Sequence, residues 1–121
     1  MNSKELLEKY PKVSEVIVKH YSDIFVKSIE SADIPEEYKE LYQNQQIDEE
    51  YVAKFIDSNP SGTFDVFDKH ELYIGITPVY NIGGVGFQYT ITTLMSGEAD
   101  TRKDAEIKAV ELAFQLLNNK L

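Results

Sequence analysis

Apolar side chains recur every three or four residues in the first half of the chain and every second residue in part of the second half. The two periods correspond to helix faces and strand faces respectively. Ser3 to Tyr10 reads as a short helix with Leu6, Leu7 and Tyr10 on one side, stopped by Pro11. From about Lys12 to Glu30, Val13, Val16, Ile17, Tyr21, Ile24, Phe25 and Ile29 gather on one face of a longer helix. After a break at Ser31-Ala32-Asp33, Asp33 and Pro35 stand ahead of Glu36 and Glu37. That order predicts a capped third helix running to about Asn44. Gln43 to Gln46 is a polar connector. Asp48 is placed to cap a fourth helix, Glu49 to Ser58, with Tyr51, Val52, Phe55 and Ile56 inward, and Asn59-Pro60-Ser61-Gly62 ends it as a turn.

Beyond that turn the period shortens. Thr63 to Phe67 is expected as a first strand, Leu72 to Tyr80 as a second with Leu72, Ile74, Ile76 and Tyr80 inward, and Val85 to Leu94 as a third with Val85, Phe87, Tyr89 and Ile91 inward. Pro78 has no amide hydrogen to give to a ladder and assigns its strand to an edge or a bulge. Asn81-Ile82-Gly83-Gly84 supplies a hairpin turn. A last helix from about Thr101 to Asn119 starts at Asp100 or Thr101, with Thr101 and Asp104 approximating a capping box. Ile107, Val110, Phe114, Leu117 and Leu121 form its buried row, flanked by Ala105, Ala109 and Ala113. The expected fold is a single α+β domain spanning 1–121. Its helical part, 1–47, precedes an α-β-β-β-α part, 48–121, in which a three-stranded antiparallel meander packs against the C-terminal helix.

Charge narrows the possible functions. Twenty-one acidic residues against twelve basic ones give a net charge of −9 in 121 residues. A field of that sign repels phosphate backbones and anionic membrane surfaces, so nucleic acid and membrane are disfavoured as partners. There is no cysteine, which removes disulfides, thiolate nucleophiles and thiolate metal sites and favours a cytoplasmic location. The N-terminal residues lack the apolar run of a secretory signal, and no window has the length of a membrane span.

The chemistry-bearing side chains are scattered. Gly83-Gly84-Val85-Gly86 is followed by a strand where a phosphate-cradling loop needs a helix N-terminus, so it reads as a turn. His20 and His70 lie far apart in the chain, with no second histidine at ligand spacing. His70, beside Asp68 and Glu71, has the chemistry of a general base but lacks an evident nucleophile. The acid pairs Asp65/Asp68 and Glu49/Glu50 read as solvated surface carboxylates. No catalytic residue, metal site or cofactor is therefore expected. Tyr38, Tyr42 and Tyr51, near Leu41 and Phe55 where the third and fourth helices would meet, are the interaction candidates, because a tyrosine ring is apolar and its hydroxyl stays wet.

From Asp48 onward the expected order of helix, three strands and helix resembles that of double-stranded-RNA-binding domains. The run Thr101-Arg102-Lys103-Asp104-Ala105-Glu106-Ile107-Lys108-Ala109 is similar to the opening of that family's final helix. The resemblance implies RNA phosphate contacts by Arg102 and Lys103, with Lys108 and His70 as further candidates. Glu106 stands at the pattern's third basic position, the turn around His70 has neither glycine nor proline, and acids outnumber bases two to one within 48–121. The whole chain also resembles short, acidic, uncharacterised proteins of bacteria and phages, most of all in Tyr73–Tyr80, Phe87–Thr93 and the Thr101 helix. The favoured expectation is a non-enzymatic protein-interaction or accessory module that binds a protein partner or itself. The alternatives are a module of the double-stranded-RNA-binding type and an acidic inhibitor that imitates nucleic acid.

Overall fold

Pro11 cannot donate a backbone hydrogen bond and sits where none is needed, at the first position of a helix, so it separates two helices without a loop. The computed structural model describes residues 2–44, 47–81, 83–92 and 95–121. Within them, helix α1 spans Ser3–Lys9, α2 Pro11–Glu30, α3 Glu36–Gln43 and α4 Glu49–Ser58. A 3₁₀ turn, Pro60–Thr63, leads into the short helix α5, Phe64–Asp68. Strands β1 (Ile74–Asn81), β2 (Gly84–Ile91) and β3 (Met95–Ala99) follow, then helix α6, Arg102–Lys120. The architecture is α+β, with an antiparallel sheet in the order β1-β2-β3.

Caps set several of these boundaries. The Asp48 carboxylate accepts from the Tyr51 amide at 2.9 Å, and the Thr101 hydroxyl accepts from the Asp104 amide at 3.1 Å, as the sequence predicts. Asp33 does not cap α3. Pro35 is the N-cap residue, and no side chain bonds to the first amides of that helix. Instead α3 is fastened to α2 by Lys39, whose ammonium donates to the Glu30 carbonyl at 3.1 Å, at the negative end of the α2 dipole.

The sheet is built as expected in its hairpin and differently in its membership. Pairing of Ile74 with Ile91 through Asn81 with Gly84 places Pro78 on an edge strand. Gly84, at φ +122°, follows a turn that falls partly outside the described residues. The register puts Ile74, Ile76 and Tyr80 of β1 on one face with Val85, Phe87, Tyr89 and Ile91 of β2, which is the predicted inward set. Ile91 is fully buried there, whereas Tyr80 and Val85 lie near the hairpin tip and are exposed. The hairpin tip extends beyond the last paired residue of β3, since β3 pairs with β2 only from Phe87 to Ile91. Tyr89 lies across Gly97, where a β-carbon would overlap its ring.

Thr63 to Phe67 is not a strand. Thr63, Val66 and Phe67 are all buried, and that spacing belongs to a helical face. The Thr63 hydroxyl donates to the Pro60 carbonyl at 2.8 Å and closes the 3₁₀ turn that starts α5. The third strand of the sheet is instead Met95–Ala99, beyond the expected strand that ran to Leu94, a residue outside the described ones. The connector at Gln43 to Gln46 also falls partly outside them.

Helix α6 joins the two halves. It touches all three strands, and it also meets α2, α5 and the 3₁₀ turn. Ala105, Ala109 and Ala113 are buried beside Val110, Phe114 and Leu117, whereas Ile107 is only half-buried and Leu121 is exposed at the chain end. Phe114 stands at the junction, its ring centroid 5.8 Å from that of Phe67 and 6.3 Å from that of Tyr10. Two buried serines brace α4 from outside the apolar core. The Ser3 hydroxyl donates to Asp57 at 2.6 Å, and the Ser14 hydroxyl donates to Glu49 at 2.7 Å.

Two stability outcomes are expected from this packing. Truncating Phe114 to alanine removes an enclosed ring shared by both halves and lowers unfolding stability by about 3–5 kcal/mol in chemical denaturation. Glu71 closes α5 at φ 63°, with the Leu72 amide bonded back to the Phe67 carbonyl at 2.9 Å, the arrangement in which glycine normally ends a helix. Glu71→Gly should therefore raise stability by about 0.5–1 kcal/mol, the left-handed penalty relieved minus the added unfolded-chain entropy.

Candidate functional site

The apolar stripe of α2 outruns the core that it helps to form. Val13, Ile17 and Tyr21 are buried, but one turn further on Ile24 is 47 % exposed and Phe25 only half-buried. On α4, Val52, Ala53 and Ile56 are buried, while Tyr51 and Phe55, expected inward from the sequence, sit at the margins of that face and stay exposed. Between these two incompletely covered surfaces and the 3₁₀ turn lies a groove of about 270 Å³. Its walls are Tyr21, Ile24, Phe25, Tyr51 and Phe55, with His20, Ser28, Gly62 and Asp65 completing the lining. The Tyr21 and Phe55 ring centroids are 5.0 Å apart, and the His20 and Tyr21 rings meet edge-on at 5.6 Å.

The polar groups here are unevenly satisfied. Tyr21 is 8 % exposed, and its hydroxyl is buried without a hydrogen-bond partner among the described residues. Burial, reinforced by the negative charge of Asp65, pushes the Tyr21 phenol up to about 12. His20 is displaced downward, first by burial and then by the Lys69 ammonium 3.1 Å from its Nδ1, against the opposing pull of Asp65 and Asp23. The imidazole nitrogen thus accepts from Lys69 in its neutral form. Asp65 lines the groove, and its carboxylate makes no ion pair or hydrogen bond among the described residues.

Of the three tyrosines singled out by sequence, only Tyr51 lines this groove. Tyr38 and Tyr42 are 51 % and 40 % exposed on α3, a helix with no buried residue whose main packing is against α2. They therefore lie outside the groove's lining. Tyr21, His20 and Asp65, the polar part of the site, were not among the residues chosen from the sequence. The lone signal was the position of Tyr21 at the end of the regularly buried part of the α2 stripe.

The candidates for RNA contact are divided between two ends of one helix. Arg102 begins α6, with its guanidinium 5.2 Å from the centre of the Phe87 ring, and the exposed Lys103 follows it. Lys108 ties α6 to β3 by donating to the Glu98 carbonyl at 3.2 Å. His70 sits at the opposite end, where the Lys120 ammonium donates to its backbone carbonyl at 2.6 Å, so the 19-residue helix separates it from Arg102. Because residues 64–68 are helical, His70 lies between α5 and β1 and not in a loop between strands. Neither histidine hydrogen-bonds to a serine or threonine hydroxyl among the described residues. Among those residues no three histidine or carboxylate side chains are grouped to hold a metal ion, and no helix is long and apolar enough to cross a membrane. Comparison with protein-family models, curated proteins and solved structures gave no match to this chain.

The unpaired Tyr21 hydroxyl has a measurable consequence. With its folded value raised above the unfolded 10, this group contributes stability that is complete below pH 10 and is lost as pH rises through about 12. Tyr21→Phe should abolish that alkaline loss in urea titrations. At neutral pH it should raise stability by about 1 kcal/mol, because it removes a buried hydroxyl with no partner.

Proposed function

We propose that this chain is a non-enzymatic protein-interaction module that receives a segment of a partner in the groove between α2 and α4. The observation that carries this reading is the continuation of the α2 stripe past the core, where Ile24, Tyr51 and Phe55 remain exposed around one concavity. An apolar patch rimmed by polar groups is the usual form of a docking surface, and tyrosines suit it because they lose little conformational freedom on binding. The cytoplasm, where a cysteine-free acidic chain meets many partners, is the setting that belongs to this reading. Self-association is the version of it in which the partner is a second copy.

A second reading, duplex RNA recognition by the sheet end, has one observation in its favour. The start of α6 meets the hairpin, where the Arg102 guanidinium lies over the Phe87 ring, two residues along β2 from the exposed Val85, and the exposed Lys103 follows it in the chain. Glu98, Asp100 and Asp104 flank the same end and oppose a phosphate backbone, so the groove reading is preferred.

Site-specific photo-crosslinking inside cells tests the choice. A benzophenone amino acid at position 51 should give a discrete protein adduct, and the same probe at Gln88, on the opposite sheet face, should not. An absent adduct at position 51, or equal adducts from both positions, would overturn the groove reading.

A further inference from the structure

The groove carries a chemical preference that its apolar walls alone do not explain. Tyr21, Phe25, Tyr51 and Phe55 line the space together with one carboxylate, that of Asp65, which has no ion pair or hydrogen bond among the described residues. The charge of Asp65 acts at Tyr21, where the field is negative, whereas at His20 the Lys69 ammonium acts more strongly than Asp65. The bases nearest its His20 side are already engaged, with Lys69 on the His20 ring at 3.1 Å and Lys19 on Asp23 at 2.9 Å. Neither is on Asp65. A simple aliphatic anchor would fill the volume and leave the Asp65 carboxylate unanswered. An anionic group would meet Asp65 with the wrong sign.

We infer that the groove takes the arginine side chain of a basic partner segment, its guanidinium lying against the aromatic rings while its N–H groups donate to the exposed Asp65 carboxylate. The inference rests on the interaction-module reading and specifies the anchor of the partner. Arginine meets the requirements better than lysine, because a planar, weakly hydrated fork stacks on rings and can offer two N–H groups to one carboxylate, whereas an ammonium is a compact, strongly hydrated point charge. About 270 Å³ accommodates one long side chain and not a helix, so the contact is a single anchor within a longer segment. The net charge of −9 favours approach of such a segment from solution.

The test is an NMR titration of the full chain with capped glycine-flanked tripeptides whose central residue is arginine, citrulline, lysine or leucine. The arginine peptide should shift the ring resonances of Tyr21, Tyr51 and Phe55 and saturate with a Kd of about 1 mM, as befits one anchor without its flanks. Citrulline, which keeps the shape and loses the charge, should bind at least about tenfold more weakly, as should arginine to the Asp65→Asn variant. Asp65 is exposed, so that variant keeps its fold, and retention of the remaining amide spectrum verifies this. Equal binding of arginine and citrulline, equal binding of lysine, or indifference to Asp65→Asn would overturn the inference. Preference for leucine would overturn it too while leaving the groove as a docking site. If no peptide binds but the position-51 adduct persists, the arginine anchor falls and the module stands. If the adduct is also absent, both fall.

Discussion

The packing of α6 against the sheet on one side and the helices on the other is the constraint on which the molecule depends. A three-stranded sheet has one apolar face to cover, and the helices before it have an apolar surface of their own. One helix serves both. Its alanines, Ala105, Ala109 and Ala113, allow close approach, while Val110, Phe114 and Leu117 add the bulk that fills the core around Phe67 and Tyr10. Neither half buries its surface without α6, so the chain behaves as one cooperative structure despite the change of period at its middle.

With α6 committed to that junction, the N-terminal helices must close on each other. They do so through α4, whose Val52 and Ile56 enter the core and whose Glu49 and Asp57 accept hydroxyls from two enclosed serines near opposite ends of the helix. These polar braces fix the position of α4 along α1 and α2, a matter that apolar contacts alone leave loose. They also leave the outer edge of α4 uncovered. Tyr51 and Phe55 face the second half of α2 across a gap edged by Gly62 and Asp65, so the groove follows from where the braces hold α4 and not from any local irregularity.

Much of this was legible in the pattern of the chain. Helix faces, the caps at Asp48 and Thr101, the hairpin and the inward set of β1 and β2 depend on neighbours a few residues away, and the sequence displays those directly. Two features depended on distant contacts and were misread or missed. Phe64 and Val66 alternate well enough to suggest a strand, but Val66 and Phe67 are buried together because α5 packs under α6, and only helical geometry allows that. Met95–Ala99 has little strand character of its own, with serine, glycine and glutamate among its five residues, and it is a strand because β2 offers it a ladder. For the site, the sequence marks Tyr51 both as an inward residue of α4 and as an interaction candidate, and it is exposed, whereas Tyr21, His20 and Asp65 come from α2 and α5 and meet only in three dimensions. Tyr38 and Tyr42 showed the right chemistry on a helix that makes no part of the groove's lining.

Pro78 gives the edge strand a second property. An unprotected outer strand is a growth point for stacking between molecules, and a small sheet with two such strands can seed ordered fibres at high concentration. β1 carries Pro78, a residue with no amide hydrogen to donate, within the same stretch whose tip runs past the end of β3. On β3 only five residues are available, and Glu98 lies among them. The two margins are thus blunted by different means, and each works against strand addition to the sheet of an aromatic-rich chain.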